Sequence, residues 1–385
     1  MKTDNLKILM LNANVAGCGT YYRALWFGRL LAKHGGHDVK LCTVSRNSKW
    51  NRKSYPSEGI EISEGPNWGY KFIPGYGSNW LDIAWRWNQI RQGGIDVIYS
   101  FEYHPNVSWP VRLGIKKHQL FLSDWCDWYS GAANMFRGNK LAHKWDKSRE
   151  EKIRLKADRV SVISSTLEKR ALDVGVKDNN VFLIREGVDT NYMKPYDRLK
   201  ARVRLSIPED VKVVGTLTDG HSFPYLVKAF KFVRNNLPEA RLLFVGAPSD
   251  SQKKLISEHG LDDVFFATGR CTDEELPVFL SAADAFALPM ENSIANEARF
   301  PHKIGDYLAC GRAVITTNVG DYPRLLKQDN TAVVTESVSD FPDELLNLLK
   351  NDEQIHYYSK RGRKWVEENL DWSVIAPDIL NFVEM

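Results

Sequence analysis

The sequence predicts an α/β protein with two Rossmann-like, doubly wound domains that face a central cleft. Short apolar runs alternate with helical patterns along most of the 385 residues, which is typical of parallel sheets covered by crossover helices. The alternation begins again at residue 213, after a polar stretch at residues 191–210 that contains Pro195 and Pro208. The carboxyl ends of two such sheets form the usual ligand-binding edges.

The two series of predicted strands define the domains. We expect an N-terminal domain at residues 1–190, a linker at 191–210 and a C-terminal domain at 211–370, with a helical pattern from about residue 341 onward. The predicted strands are 7–13, 38–44, 96–101, 119–123, 160–164 and 181–185, followed by 213–217, 241–246, 264–268, 285–289, 313–318 and 331–335.

Charge and tryptophan are unevenly distributed. Residues 1–200 carry a net +12 and residues 201–385 a net −8, and ten of the twelve tryptophans lie between Trp26 and Trp145. This pattern favours an anionic membrane surface or an anionic lipid-linked substrate, although a tryptophan-rich core with a basic rim explains it equally well. Nucleic acid is not expected as a partner, because no binding module or dense basic stripe is present.

The chain shows no apolar stretch approaching the roughly 18 residues of a spanning helix. We therefore expect a cytoplasmic protein. The positive charge and the tryptophans of its first half also predict peripheral association with the inner face of the membrane. Its five cysteines are scattered and form no ligand cluster, so reduced thiols and no metal are expected.

A glycine-rich loop follows the first predicted strand. Gly17, Cys18, Gly19 and Thr20 precede a helical pattern that contains Arg23, and backbone amides at such a turn can approach an anion. These five residues are candidates for an acceptor or phosphate loop, with a plain turn and a solvated arginine as the alternative. The third glycine and the acidic residue of a dinucleotide-binding fingerprint are absent, which argues against an NAD-dependent oxidoreductase.

The second half contains a polar loop and a predicted helix at residues 302–309 that ends at Gly311. Lys303 and Asp306 are three residues apart and share a face of this helix. If the helix N-terminus opens on the cleft, Arg299 and Lys303 can neutralise a diphosphate and Asp306 can accept hydrogen bonds from ribose. A surface ion pair explains the same spacing.

The string FPHKIGDYLACGRAVITTNVG resembles the donor-binding signature of retaining glycosyltransferases of family 4. GCGTYYRA, KADRVSVISSTLEKRAL and LIREGVDTNYMKP also resemble segments of that family, in the same order. The resemblance implies the GT-B fold, retention of configuration, no required metal or other cofactor, and a C-terminal helix, here residues 371–385, that returns to the N-terminal domain.

The resemblance makes Asp306 the second acid of the family's Glu-x7-Glu motif, which usually holds the ribose. Ala298 stands at the first acidic position, next to Asn296 and Glu297. Thr216, Thr218, Asp219 and His221 occur where the family usually has an Arg and a Lys for the diphosphate, so Arg299, Lys303 or Arg270 must supply that charge. The predicted donor-binding residues are Gly215, Thr216, Thr218, Arg270, Asn296, Glu297, Arg299, Lys303, Ile304 and Asp306.

His104, Asp124 and Asp127 follow two predicted strands at their carboxyl ends. The family often places a His and an Asp near the reacting sugar, so the resemblance makes these three residues catalytic candidates. A capping role for either aspartate is the alternative.

The expected function is transfer of a sugar from a nucleotide-sugar donor to a glycan or lipid-linked acceptor with retention, in polysaccharide or glycoconjugate biosynthesis. Acceptor binding is assigned to the N-terminal domain and donor binding to the C-terminal domain. A GT-B protein that binds sugar nucleotides or glycans without turnover, and a nucleotide-sugar epimerase, are the alternatives.

Overall fold

The computed structural model describes residues 5–47, 50–67, 79–132, 140–217 and 222–385. The chain divides into two compact units, Met1–Glu186 with Ile375–Met385, and Gly187–Val374. Residues 191–210, the predicted linker, belong to the second unit and include the helix Arg198–Arg204.

The first unit contains an eight-stranded sheet in the order β3-β4-β2-β1-β5-β6-β7-β8, in which every pairing is parallel except that of β3 with β4. Its central strands are buried along nearly their whole length, which explains their continuous apolar sequences. The strands are β1 Lys7–Val15, β2 Asp38–Val44, β3 Lys53–Ser57, β4 Ile60–Gly65, β5 Val97–Phe101, β6 Leu120–Trp125, β7 Arg159–Val162 and β8 Val181–Leu183, and the helices are Tyr21–Gly35, Trp80–Arg91, Pro105–Gly114, Lys140–Lys156 and Ser165–Asp173.

The hairpin of β3 and β4 is missing from the sequence prediction. Its strands alternate polar and apolar residues, and β3 contains Pro56, which an edge strand tolerates because one side of its backbone has no partner. Glu58 (φ 46°) and Gly59 (φ 86°) form the turn in the left-handed region. The first unit therefore ends in a mostly exposed edge strand.

The second unit contains a six-stranded parallel sheet in the order β11-β10-β9-β12-β13-β14. Its core combines buried strand residues with apolar faces of the surrounding helices. The strands are β9 Val213–Leu217, β10 Arg241–Val245, β11 Phe265–Ala267, β12 Ala285–Leu288, β13 Ala313–Thr317 and β14 Val333–Thr335, and the helices after Arg198–Arg204 are Phe223–Asn236, Asp250–Glu258, Leu276–Leu280, Ile294–Ala298, His302–Ala309, Asp321–Gln328, Phe341–Lys350 and Asp352–Asn369.

The last helix, Trp372–Glu384, begins in the second unit and belongs to the first from Ile375 onward. The ring of Phe382 lies 5.4 Å from that of Tyr99, centroid to centroid, and Nε2 of His37 lies 3.0 Å from a carboxylate oxygen of Glu384. The predicted return of the C-terminal helix to the first domain is thus confirmed.

All five cysteines are free, and Cys42, Cys126 and Cys310 are buried. Burial raises the pKa of the Cys42 thiol to about 12, so this thiol stays protonated near neutral pH. None of the helices within the described ranges is long and apolar enough to cross a membrane.

Candidate functional site

Each sheet has a point at which the strand order reverses, and ligands of doubly wound folds bind outside the carboxyl ends of the strands at that point. In the first unit the point lies between β1 and β5, and in the second unit between β9 and β12. The segments that follow these four strands contain most of the predicted site residues.

In the second unit, Lys303 lies at the end of β9. Its Nζ donates to the carbonyl oxygen of Leu217, the last residue of β9, at 3.2 Å. The amide of Leu217 donates to the hydroxyl of Tyr307 at 2.8 Å. These two bonds fix the helix His302–Ala309 above the carboxyl end of β9, so the predicted cation lies at the reversal point.

Asp306 lies on the same helix and is only 4% exposed. Its Oδ1 is 3.5 Å from Nε2 of His302, which supplies a positive charge when the imidazole is protonated. Ile304 is fully buried, so its side chain contributes packing instead of a donor contact. The helix therefore presents Lys303 and Asp306 as its charged residues nearest to the end of β9.

The carboxylate of Glu297 is bound by two other residues of the second unit. Both of its carboxylate oxygens accept from Nη2 of Arg324, at 2.9 and 2.8 Å, and one also accepts from the amide of Gly320 at 3.2 Å. Gly320 has φ 80°, and a Cβ there would lie 3.0 Å from the carbonyl oxygen of Asn296. The sequence analysis missed Arg324 and Gly320, whose role depends on this close approach.

Ala298 is fully buried, so the position of the family's first acid carries no carboxylate. Its neighbour Asn296 does not replace that acid, because its Nδ2 donates to the carbonyl of Glu291 at 2.8 Å and its Oδ1 accepts from Nη1 of Arg299 at 3.3 Å. Arg299 is thereby held at the end of the helix Ile294–Ala298, close in sequence to Lys303.

Gly215 and Thr216 lie inside β9. A Cβ on Gly215 would come within 2.4 Å of the ring of Phe286, which stacks on Tyr307 at a centroid distance of 4.0 Å. This glycine is therefore required by packing, and Thr216 is only 1% exposed. The side chain of Thr216 is therefore part of the core, and the predicted donor contacts of Gly215 and Thr216 stay predictions.

Arg270 is exposed after Gly269, whose φ of 71° lies in the left-handed region. No bond ties its guanidinium to another described residue in the loop of β9 or β12. Thr218, Asp219 and His221 lie outside the described residues.

In the first unit, the predicted glycine loop follows β1. Gly17 and Gly19 have φ of 76° and 55°, which the turn requires and which side chains other than glycine rarely adopt. Oγ1 of Thr20 accepts from Nδ2 of Asn12 at 2.9 Å and of Asn14 at 2.6 Å. The loop is therefore fixed by side chains from the end of β1.

Arg46 provides a cation at this loop that sequence reasoning missed. Its Nη2 donates to the carbonyl of Gly17 at 3.3 Å and lies 3.4 Å from Sγ of the exposed Cys18. The signal for Arg46 was its position just after β2, the neighbour of β1 in the sheet.

Arg23 forms a buried ion pair with Asp124. Its Nε and Nη2 donate to the two oxygens of Asp124 at 3.0 Å each, and Nη1 lies 3.3 Å from Glu186. Burial lowers the pKa of Arg23, but the charges of Asp124 and Glu186 outweigh it and raise the pKa above its ordinary value. Arg23 is 2% exposed and Asp124 fully buried, so this pair stabilises the unit and the alternative of a solvated arginine is wrong, while the site roles of both residues stay predictions.

Glu102 follows β5 at the reversal point and was also missed. It is 1% exposed, has φ 78°, and its Oε1 accepts from Sγ of Cys126 at 3.3 Å and from the hydroxyl of Tyr129 at 3.4 Å. Burial, and then the charge of Asp127, raise the pKa of Glu102 to about 8. Its position two residues before His104 was the available signal.

The ligand atoms of Glu102, Cys126 and Asp127 lie within 4.8 Å of one another, as a metal site would require. Burial, and then the charges of Glu102 and Asp127, raise the pKa of the Cys126 thiol well above its ordinary value. A neutral thiol and a protonated carboxyl must lose their protons before they can bind a metal, so metal binding at this cluster would be coupled to proton release.

His104 lies beside this cluster. Its ring stacks on Tyr103 at a centroid distance of 4.8 Å and meets Tyr129 edge-on at 5.5 Å. Tyr129 in turn donates to Glu102, so the structure brings His104, Glu102 and Asp127 together.

Two doubly wound units, each with charged residues at the reversal point of its sheet, define the GT-B class. Residues 197–365 match the family model described as "Glycosyl transferases group 1", and residues 23–192 match the model described as "Glycosyltransferase Family 4". Together these matches cover most of the chain, and the protein belongs to glycosyltransferase family 4.

Relatives support this assignment. The chain is 26% identical over 238 residues to the GDP-mannose-dependent alpha-(1-6)-phosphatidylinositol monomannoside mannosyltransferase of Mycobacterium tuberculosis, covering 59% of this chain and 61% of that protein. It is similar in fold to sucrose-phosphate synthase of Thermosynechococcus elongatus (TM-score 0.80, 19% identity, 98% of each chain covered). It is also similar to Anabaena Alr3699/HepE in complex with UDP and glucose (TM-score 0.72, 16% identity, 98% and 99% covered).

Proposed function

We propose that this protein transfers a sugar from a nucleotide-sugar donor to a glycan or lipid-linked acceptor, with retention of configuration. The observation that carries the proposal is the bond from Lys303 to Leu217, which holds a cation at the reversal point of the second sheet with Asp306 on the same helix. The relatives use GDP-mannose or bind UDP according to their names, which supports a nucleotide sugar as donor.

The second unit is proposed to bind the donor. Departure of a nucleoside diphosphate builds negative charge on its phosphates, and fixed cations stabilise that charge more in the transition state than in the ground state. Lys303 and Arg299 are assigned to the diphosphate, since both follow β12 and its loop. Asp306 is assigned to the ribose hydroxyls, which a carboxylate can accept as hydrogen-bond donors.

The first unit is proposed to bind the acceptor. Asp127 is half-buried, and the neighbouring Glu102 is protonated near neutral pH because its pKa is about 8. The pair can therefore hold one proton and one negative charge, which suits it to orient an acceptor hydroxyl. His104 borders the same place, and Arg46 with the glycine loop can bind an anionic group.

A lipid-linked acceptor is favoured by the surface of the first unit. Trp50, Trp80, Trp109 and Trp145 are between 49% and 63% exposed in a half of the chain with net charge +12, whereas Trp125 belongs to the core. Indole rings and basic charge together favour an anionic bilayer interface. We therefore propose peripheral association of the first unit with anionic lipids.

One observation favours a different function. The buried Ala298 and the engagement of Glu297 by Arg324 leave the family's first acidic position without a carboxylate. A protein that binds sugar nucleotides without turnover, or an epimerase acting on them, would show the same geometry.

The test is a panel of UDP-, GDP- and ADP-sugars incubated with the purified chain and with lipid and glycan acceptors, with mass spectrometry of all products. A glycosylated acceptor whose new linkage keeps the donor's anomeric configuration supports the proposal. Binding of donors without any product indicates the binding protein, and an altered donor sugar indicates the epimerase. An inverted linkage contradicts retention.

A further inference from the structure

The second unit contains a cavity of about 750 Å³ at the edge opposite to its proposed donor site. Lys212, Asp284 and Arg312 line it, and each of these residues immediately precedes a strand, β9, β12 and β13 respectively. The cavity therefore lies at the amino ends of the parallel strands. Its volume falls within the range of about 300–1,000 Å³ that is typical of small-molecule pockets.

The lining is rich in basic groups. Six Lys or Arg side chains face four Asp or Glu side chains, which gives the lining a net charge of +2 before His356 is counted. One face of the helix Asp352–Asn369 contributes His356, Lys360 and Arg363 at helical spacing, and the helix Arg198–Arg204 contributes two arginines.

Two of the four acidic groups, Asp284 and Asp352, are already engaged, whereas Glu209 and Asp210 lie exposed on the same lining. Asp284 binds Arg198, Nη2 of Arg202 at 2.7 Å and the amide of Val213 at 2.7 Å, and it is only 3% exposed. Asp352 pairs with Lys212. These two carboxylates therefore have little capacity left to neutralise further cations.

Arg312, Lys360 and His356 form no ion pair with a carboxylate among the described residues. Arg312 donates only to carbonyl oxygens, those of Cys310 at 3.1 Å and Ala283 at 3.4 Å. Lys360 and His356 are exposed into the cavity and make no ion pair with another described residue. Burial lowers the pKa of Arg312, and the charges of Arg198 and Arg202 lower it further. A bound anion would reverse that effect.

We propose that this cavity binds the phosphate group of a small phosphorylated metabolite, with Arg312, Lys360 and His356 as its ligands. A guanidinium fork and an ammonium group are the side chains that proteins use for phosphate. The cavity is much larger than one phosphate ion, so it leaves room for an organic body attached to that group. The site is separate from the end of β9, and the proposal does not depend on the proposed transferase activity.

The experiment is a calorimetric titration of the full chain with glucose 6-phosphate and, in parallel, with inorganic phosphate. Saturable binding by either probe, weakened about tenfold in Arg312→Gln and in Lys360→Gln, is the expected result. Lys364→Gln is the matched control, because Lys364 lies on the same helix outside the cavity and pairs with Glu368. Tighter binding of the ester identifies a phosphorylated metabolite, and equal binding identifies free phosphate.

Lys303→Gln separates this site from the proposed donor site. Loss of probe binding in Lys303→Gln, with retention in Lys360→Gln, would overturn the proposal. The absence of saturable binding up to about 10 mM would also overturn it, because a Kd above that concentration means weaker binding than that of a millimolar ligand. Lys360 is exposed, so Lys360→Gln keeps the test decisive if Arg312→Gln fails to fold.

Discussion

Arg23 and Asp124 are 101 residues apart in the chain and form a bidentate ion pair, with both N–O distances at 3.0 Å. Ser161 donates to the same carboxylate at 2.6 Å, and Arg23 also donates to the carbonyl of Ile184 at 2.8 Å. The pair therefore ties the first helix to β6, β7 and the segment after β8.

Arg23→Leu is expected to destabilise the protein by about 3–5 kcal/mol, because it leaves the carboxylate of Asp124 buried without its counter-charge. Arg29→Leu is the control on the same helix. Arg29 pairs with Glu58, which is 66% exposed, so its loss should cost no more than about 1 kcal/mol. Thermal and urea unfolding measure both. An Arg23→Leu variant that unfolds like the wild type but no longer binds ligand would show that Arg23 acts in ligand binding and not in stability.

Glu102 predicts a pH dependence of stability. Because its pKa in the folded state, about 8, is above the ordinary 4.5, the folded state holds the proton more tightly than the unfolded state. Its contribution is neutral below pH 4.5 and becomes destabilising as the pH rises from 4.5 to 8. Glu102→Gln should therefore raise the melting temperature at pH 8 by a few degrees and leave it unchanged at pH 4.5.

The Asp127→Asn variant tests the same argument by changing the neighbour whose charge raises the pKa of Glu102. Removing the charge of Asp127 should lower the folded-state pKa of Glu102 and so lower the upper pH limit of the destabilising window, while its lower limit near pH 4.5 stays the same. Differential scanning calorimetry across the pH range gives both profiles. A wild-type profile that Glu102→Gln does not alter would show that Glu102 is ionised in the folded state.

How far the sequence predicts the site depends on the distance over which each interaction acts. The helix His302–Ala309 and β9 were predicted with the bounds that the structure has, because apolar periodicity and the Gly311 stop are local signals. The ion pair of Arg23 was not predicted because its carboxylate is 101 residues away. Glu102 was missed because a single glutamate after a strand matches no sequence motif. Its pKa is raised only in the folded protein, by burial and by the charge of Asp127.

Donor binding is expected to need no metal. The cations assigned to the diphosphate are Lys303 and Arg299, so neutralising its charge does not require a divalent ion. Calorimetric titration with UDP and with GDP, in the presence of a chelator, should give the same affinity as with added Mg²⁺ or Mn²⁺. Affinity that the chelator abolishes and a divalent cation restores would contradict this expectation.

Membrane association is expected to require both charge and tryptophan. The protein should float with vesicles that contain an anionic lipid and not with neutral vesicles, and about 0.5 M salt should release it, since screening shortens the reach of surface charge. Trp145→Ala should weaken recovery, whereas Ile294→Ala, which removes a 56% exposed apolar side chain in the second unit, should not. Equal recovery with neutral and anionic vesicles would contradict the electrostatic part.

Lys303 and Asp306 are expected to differ in the kinetic step that they affect. Lys303→Ala removes the cation that is proposed to act on the departing diphosphate, and loss of one such contact lowers kcat by roughly a hundredfold or more. Lys303 is half-buried and bonds to the carbonyl of Leu217, so its loss should change the melting temperature by only a few degrees. Lys364→Ala, on an exposed helix face, is the control for removing a lysine.

Asp306→Asn keeps the size of the side chain and removes the charge that is proposed to accept hydrogen bonds from ribose. If that contact is equally strong in the ground and transition states, the variant should raise the donor KM more than it lowers kcat. Steady-state kinetics at saturating acceptor separates the two effects, and circular dichroism confirms folding. Near-wild-type kcat in a folded, donor-saturated Lys303→Ala would remove Lys303 from the site and return it, with Asp306, to a purely structural role on this helix.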